Sequence, residues 1–119
     1  MISIVILFFI KHFLADFVFQ TTYQWSNKGT FLHPGGLIHS GIHAALTTII
    51  LLIYDVCFIE LIALDFVAHY VIDYCKVNIN KKFNWTPDTY WFWVLTGLDQ
   101  LLHYLTYIVI LYLIMLQIS

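Results

Sequence analysis

Asp65-Phe-Val-Ala-His69-Tyr-Val-Ile-Asp73-Tyr-Cys-Lys76 places an ionisable residue at every fourth position of an otherwise apolar run, with Lys76 one turn further on. Four residues of α-helix advance about 400°, so Asp65, His69 and Asp73 drift only about 80° around the axis. The stretch therefore reads as a greasy helix with one narrow polar stripe. Moving outward, the other apolar segments carry matching stripes: His12, Asp16 and Gln20; His39 and His43; Thr96, Asp99, His103 and Tyr107. Four apolar helices, each presenting His or Asp on one face, imply a shared polar site.

Composition sets the surroundings of that site. The 119 residues are 61% apolar and 10% charged, with a mean hydropathy of +0.85. A soluble domain carries about 25% charged residues, and a small one has too much surface to cover with so few charges. The expectation is a single all-α integral membrane domain over 1–119, a four-transmembrane-helix bundle with a buried His/Asp core. The spans are placed at about 2–23, 36–54, 57–77 and 87–116, each near the length of about 20 residues that a hydrocarbon core requires. The N-terminus lacks the basic region and cleavage site of a signal peptide and reads as the first span.

Between the spans, 24–34 and 78–86 read as polar loops. Asp55 to Glu60 makes a tight hairpin, and Thr86-Pro87-Asp88 resembles a helix start with Thr86 as cap. Gly36, Ser40, Gly41, Ala44 and Ala45 thin the second span and let neighbouring helices approach. The first and third loops carry Lys28, Lys81 and Lys82, with Lys76 and all four Trp on the same side. The positive-inside rule makes that side cytoplasmic and puts both termini outside. Lys11 lies mid-span off the stripe and must snorkel, pair with an acid or face a cavity. A net charge of −2 without a basic tract excludes a nucleic-acid face. Cys57 and Cys75, at opposite ends of one helix about 27 Å apart, cannot form a disulfide. His33, before Pro34, reads as a solvated loop residue.

Depth reinforces the facing direction. Counted at about 1.5 Å per residue from the Lys side, Asp16, His43 and His69 lie roughly 10–12 Å in, with His12, Asp65 and Asp99 one turn deeper. An unpaired Asp at the centre of a span costs about 2.5–3.5 kcal/mol on insertion scales. A divalent cation held by carboxylates and neutral imidazoles removes that penalty, as does a network of Asp–His and Asp–Lys pairs around water. Ligands at i and i+4 on one helical face form a chelating pair, the geometry of H-E-x-x-H helices. The candidate metal ligands are therefore His12, Asp16, His39, His43, Asp65, His69, Asp73, Asp99 and His103. Mixed N and O donors without thiolate suit zinc first, then manganese or iron, and the number of groups allows two metals.

The combination His12-Phe-Leu-Ala-Asp16-Phe-Val-Phe-Gln20, His39-x3-His43, His69-x3-Asp73-x2-Lys76 and Asp99-Gln100-x2-His103 resembles the domain-of-unknown-function 3307 family. The resemblance covers nearly the whole chain. It implies a small integral membrane protein of the kind found in bacteria and phages, residing in the inner (plasma) membrane. A looser similarity, without residue-by-residue correspondence, links the chain to membrane metal-dependent hydrolases that array His and Asp on several spans.

Two functions follow as expectations. The first is a metal-dependent hydrolase acting on a lipid or lipid-linked substrate from the cytoplasmic leaflet. In it Asp16 or Asp73 serves as general base and Lys76 binds an anionic head group. The alternative is an ion, proton or divalent-metal transporter or channel component, which with four helices would work as a homo-oligomer. Because the polar groups thin out beyond His103, a cavity open on one side is favoured over a through-pore.

Overall fold

The computed structural model describes residues 2–56 and 58–118. Cys57, where the third span is expected to begin and one half of the cysteine pair, lies outside them, as does Ser119. Cys75 is an exposed free thiol. The described residues are all-α, without strands: α1 (Ile2–Phe13) continuing into a π-helical turn (Leu14–Val18), a short α2 (Thr22–Ser26), α3 (Pro34–Ile53), α4 (Ile59–Phe83) and α5 (Tyr90–Ile118).

Local sequence accounts for the ends of these elements, and in four places shifts them from expectation. The first helix does not run to Tyr23. At Leu14 the ladder widens to an i→i+5 bond, Phe19 N to Leu14 O at 2.8 Å, and helix ends at Val18. Gln20 is therefore off the stripe, its amide donating to the Asp16 carbonyl at 2.7 Å. His33 is not merely solvated: it caps α3, its Nδ1 accepting from the Gly35 N–H at 3.0 Å, with Pro34 at the first helical position. A Cβ on Gly35 would lie 2.5 Å from the Tyr23 carbonyl oxygen, so this glycine permits α2 to close against the start of α3. The polar stretch after Asn78 stays helical as far as Phe83. Asn78 bonds back to the carbonyls of Tyr74 and Gly29, and the helix stops only where Asn84 takes the left-handed conformation (φ 53°). Thr86 does not cap α5; Thr86 to Thr89 close a turn of their own and α5 starts at Tyr90.

Burial is inverted relative to a soluble bundle. α1, α3, α4 and α5 turn His12, His39, His43, Asp65, His69, Asp73, Asp99 and His103 inward, all buried. Large apolar side chains such as Phe13, Phe17, Ile49, Leu101, Leu105 and Tyr112 face outward. A second, apolar cluster fills the end holding the α3–α4 hairpin and the N-terminus, with Phe8, Leu51, Leu61, Tyr107, Ile110 and Ile114 at its centre. α3 and α5 are long and apolar enough to cross a membrane, by length and composition. α4 has 25 residues but is interrupted by the polar stripe it buries. The molecule measures 47 × 27 × 22 Å.

Candidate metal centre

Asp65 is fully buried and carries contacts from three elements. Its Oδ2 accepts from Lys11 Nζ at 2.8 Å and from the Thr47 hydroxyl, while His69 Nδ1, 2.8 Å from Oδ1, hydrogen-bonds the Asp65 main-chain carbonyl at 3.0 Å and leaves Oδ1 without a hydrogen bond among the described residues. Lys11, expected off the stripe, is buried at 2% exposure and sits 4.7 Å above the Tyr107 ring. Its burial follows from a wider inward face on α1 than the i,i+4 count shows, comprising Phe8, Lys11, His12 and Ala15. Asp65 thus neutralises an internal ammonium and orients His69. It belongs to none of the ligand clusters described next.

Proton positions follow outward from Asp65, because an ionised carboxylate only accepts. His69 therefore donates from Nδ1, leaving an Nε2 lone pair that accepts from the Tyr107 hydroxyl at 3.0 Å. Tyr107 in turn accepts from His12 Nδ1 at 2.7 Å. His12 Nε2 hydrogen-bonds Gln100 Oε1 at 2.8 Å and lies 3.1 Å from Asp16 Oδ2. On the same polarity, Lys11 donates to His43 Nδ1 at 3.2 Å, and His43 Nε2–H then holds Asp16 Oδ1 at 2.9 Å.

Asp16 is where the helices meet. The π-helical turn directs it toward α3, where His39 Nε2 lies 3.1 Å from its Oδ1 and 3.4 Å from Asp73 Oδ2. That nitrogen is buried and makes no hydrogen bond among the described residues. His39 Nδ1 is 3.3 Å from Gln24 Oε1, and Gln24 is itself tied to the Phe19 carbonyl at 3.2 Å. An imidazole that donates its far N–H to a fixed oxygen while its other nitrogen is free is the arrangement of a metal ligand. π-turns recur at functional sites for the same reason: they re-aim one side chain within a helix.

Further toward the Lys side, His103 Nε2 lies 3.2 Å from Asp73 Oδ1 and 3.5 Å from Asp99 Oδ1. Lys28 pairs with Asp73 Oδ2 at 3.4 Å and Lys76 with Asp99 Oδ2 at 3.6 Å. Lys76 is thus the partner of Asp99, and Lys28 that of Asp73. Ligand atoms converge to within 4.8 Å in three groups: His12, His43 and His69; Asp16, His39 and His43; Asp73, Asp99 and His103. Eight of the nine candidate ligands fall in these groups, and Asp65 does not. A cavity of about 910 Å³ reaches two of these groups through Asp16, Asp73 and Asp99, lined from the π-helical turn, α2, α4 and α5 but by no residue of α3.

Sequence reasoning missed Gln24, Lys28 and Gln100 as members of the site. Gln100 stands beside Asp99 and was legible in the motif. Gln24 and Lys28 reach the site from a segment with no helical register to read.

A family model for a protein of unknown function (DUF3307) matches residues 4–119. The chain belongs to this family. No curated protein matches it, and no solved structure does. The DUF3307 description carries no activity, so the chemistry of this member rests on the geometry above. That geometry gathers paired residues of four helices into three neighbouring groups: His12 and Asp16, His39 and His43, His69 and Asp73, Asp99 and His103.

Proposed function

We propose that the chain is a four-span membrane protein of the bacterial inner membrane, housing a divalent-metal hydrolase site that takes a lipid or lipid-linked phosphoester from the cytoplasmic leaflet. The observation that carries the metal is the convergence of imidazole and carboxylate donor atoms around Asp16, where the buried His39 Nε2 makes no hydrogen bond among the described residues. Carboxylate and imidazole donors suit zinc, with manganese or iron as alternatives. Such a metal lowers the pKa of a bound water and polarises a phosphoryl oxygen. In the reaction, water oxygen bonds to phosphorus, the P–O bond to the lipid alcohol breaks, and that alcohol takes up a proton. Asp73 Oδ2, the carboxylate oxygen nearest His39 after Asp16, receives the proton lost by the water.

The membrane reading is supported by the inverted burial and by dimensions. Ile2 to Val18 rise about 25 Å and α5 about 43 Å at 1.5 Å per residue, against a hydrocarbon core of about 30 Å. Tyr90 to Trp93, with Trp93 Nε1 donating to the Pro87 carbonyl at 2.7 Å, would then sit in the interface. The aromatic rim of the cavity, Phe17, Trp25, Phe92 and Trp93, gives an acyl chain a path to the polar centre. Reporter fusions at the C-terminus and near Lys81 are expected to give opposite signals, with the C-terminus outside. Equal signals would refute the topology.

A conduit needs a polar route to both sides. Here the apolar cluster around Phe8, Leu51 and Ile110 closes the end beyond Tyr107, which favours the enzyme over a transporter. Reconstituted protein assayed against lipid phosphoesters and, separately, against an ion gradient separates the two. Turnover that requires added metal and falls at least about 100-fold in Asp73→Ala is the expected result. Ion flux without turnover would sink the enzyme and promote the conduit.

A further inference from the structure

The site holds two kinds of lysine. Lys11 is sealed in, with Asp65, Thr47 and His43 around its ammonium group. Lys28 and Lys76 border the cavity, at 12% and 26% side-chain exposure, and their pairings at 3.4 and 3.6 Å are looser than the 2.8 Å of Lys11. They neutralise the two carboxylates of one ligand cluster, Asp73 and Asp99. In that cluster two buried atoms have no hydrogen-bond partner among the described residues, Asp99 Oδ1 and His103 Nδ1. His103 is 1% exposed and Asp99 3%, so water does not reach these atoms freely.

We infer that Asp73, Asp99 and His103 form a second divalent-cation site, in which the cation replaces Lys28 and Lys76 and thereby frees them to bind a phosphate-type anion in the cavity. The inference rests on the metal reading above and adds a second site and its ligand. A carboxylate can be neutralised by ammonium or by metal, and a divalent ion reached by Asp73 Oδ1, Asp99 Oδ1 and an imidazole displaces weakly held monovalent partners. Asp73 Oδ2, relieved of Lys28, is then available to accept a proton on the His39 side. Both released ammonium groups remain at the cavity rim with Lys81, which lines the same wall.

Charge balance selects the anion. At the second cluster Asp73 and Asp99 stand against Lys28 and Lys76, so acids and bases cancel. A dication added at the cluster leaves two positive charges uncompensated. A phosphate monoester carries about −1.5 to −2 at neutral pH and matches them, whereas a zwitterionic head group does not. Metal and anion therefore favour each other, and by linkage each raises the affinity of the other by the same factor.

The test uses the full chain in detergent, measuring bound zinc or manganese and the affinity for inorganic phosphate and for vesicles of phosphatidate or phosphatidylcholine. Two metal equivalents are expected in the wild type and one in Asp99→Asn. Phosphate-type ligands should bind at least about tenfold tighter with both sites filled. The double variant Lys28→Gln/Lys76→Gln should keep two metals and lose that tenfold gain. Binding of free phosphate supports a soluble source, and binding of phosphatidate alone supports a lipid head group. One equivalent unchanged in Asp99→Asn overturns the second site while leaving the first metal in place. Two equivalents with anion affinity indifferent to metal or to the lysines overturns the exchange. No metal in the wild type removes this inference and the metal reading together.

Discussion

Replacing Lys11 by Met is expected to destabilise the protein by about 3–5 kcal/mol, the cost of leaving a buried charge without its partner. Lys11 and Asp65 are 2% and 0% exposed and stand 2.8 Å apart, so Asp65 cannot recover its lost partner from solvent. Thr47 and His69 still contact the carboxylate, but neither supplies the full positive charge. Adding Asp65→Asn removes the orphaned charge, and the double variant should regain more than half of the loss. Denaturant or thermal unfolding in detergent measures this cycle. Single-variant losses that simply add in the double variant would show that Lys11 and Asp65 are not coupled. A loss below about 1 kcal/mol for Lys11→Met would show that the ammonium is not sealed as the geometry requires.

How much of this was legible in the sequence depended on how regular the backbone is. In α4 the spacing of Asp65, His69 and Asp73 was enough, because an uninterrupted α-helix converts every fourth residue into one face, and all three are buried there. The same count failed in α1. The π-helical turn at Leu14 keeps His12 and Asp16 within 3.1 Å but ends the helix before Gln20, and nothing in Leu-Ala-Asp-Phe-Val signals a widened turn. Lys11 was misplaced for a related reason: a stripe counted at i and i+4 ignores the i+3 neighbour, and the inward face of α1 includes both Phe8 and Lys11. The end of α4 was set too early because polar residues were taken as a loop. Beyond an apolar span a helix continues until something stops it, and here that is Asn84. Gln24 and Lys28 were out of reach altogether, since they arrive through a tertiary fold-back of α2 on α3.

Asp16→Asn is expected to lower bound metal at least about 100-fold while leaving a folded, helical protein. Asp16 Oδ1 is shared by His39 and His43 and its Oδ2 faces His12, so this one carboxylate supplies the negative charge around which the imidazoles of α1 and α3 gather. The amide keeps the shape and one acceptor, and can hold His43 Nε2–H, but it brings no charge to offset a dication. Stability should change far less than metal content, because the neutral amide would leave no buried charge unpaired. Gln24→Leu provides the graded comparison. It removes the oxygen 3.3 Å from His39 Nδ1, and loss of such an orienting contact costs about 10–100-fold in metal affinity. Competition with a chelator of known affinity ranks the three proteins, and the order wild type, Gln24→Leu, Asp16→Asn is expected. If Asp16→Asn retains metal as tightly as the wild type, the centre does not lie at Asp16. If Asp16→Asn instead unfolds, while Gln24→Leu binds metal normally, the imidazoles around Asp16 are a structural charge network and not a ligand set.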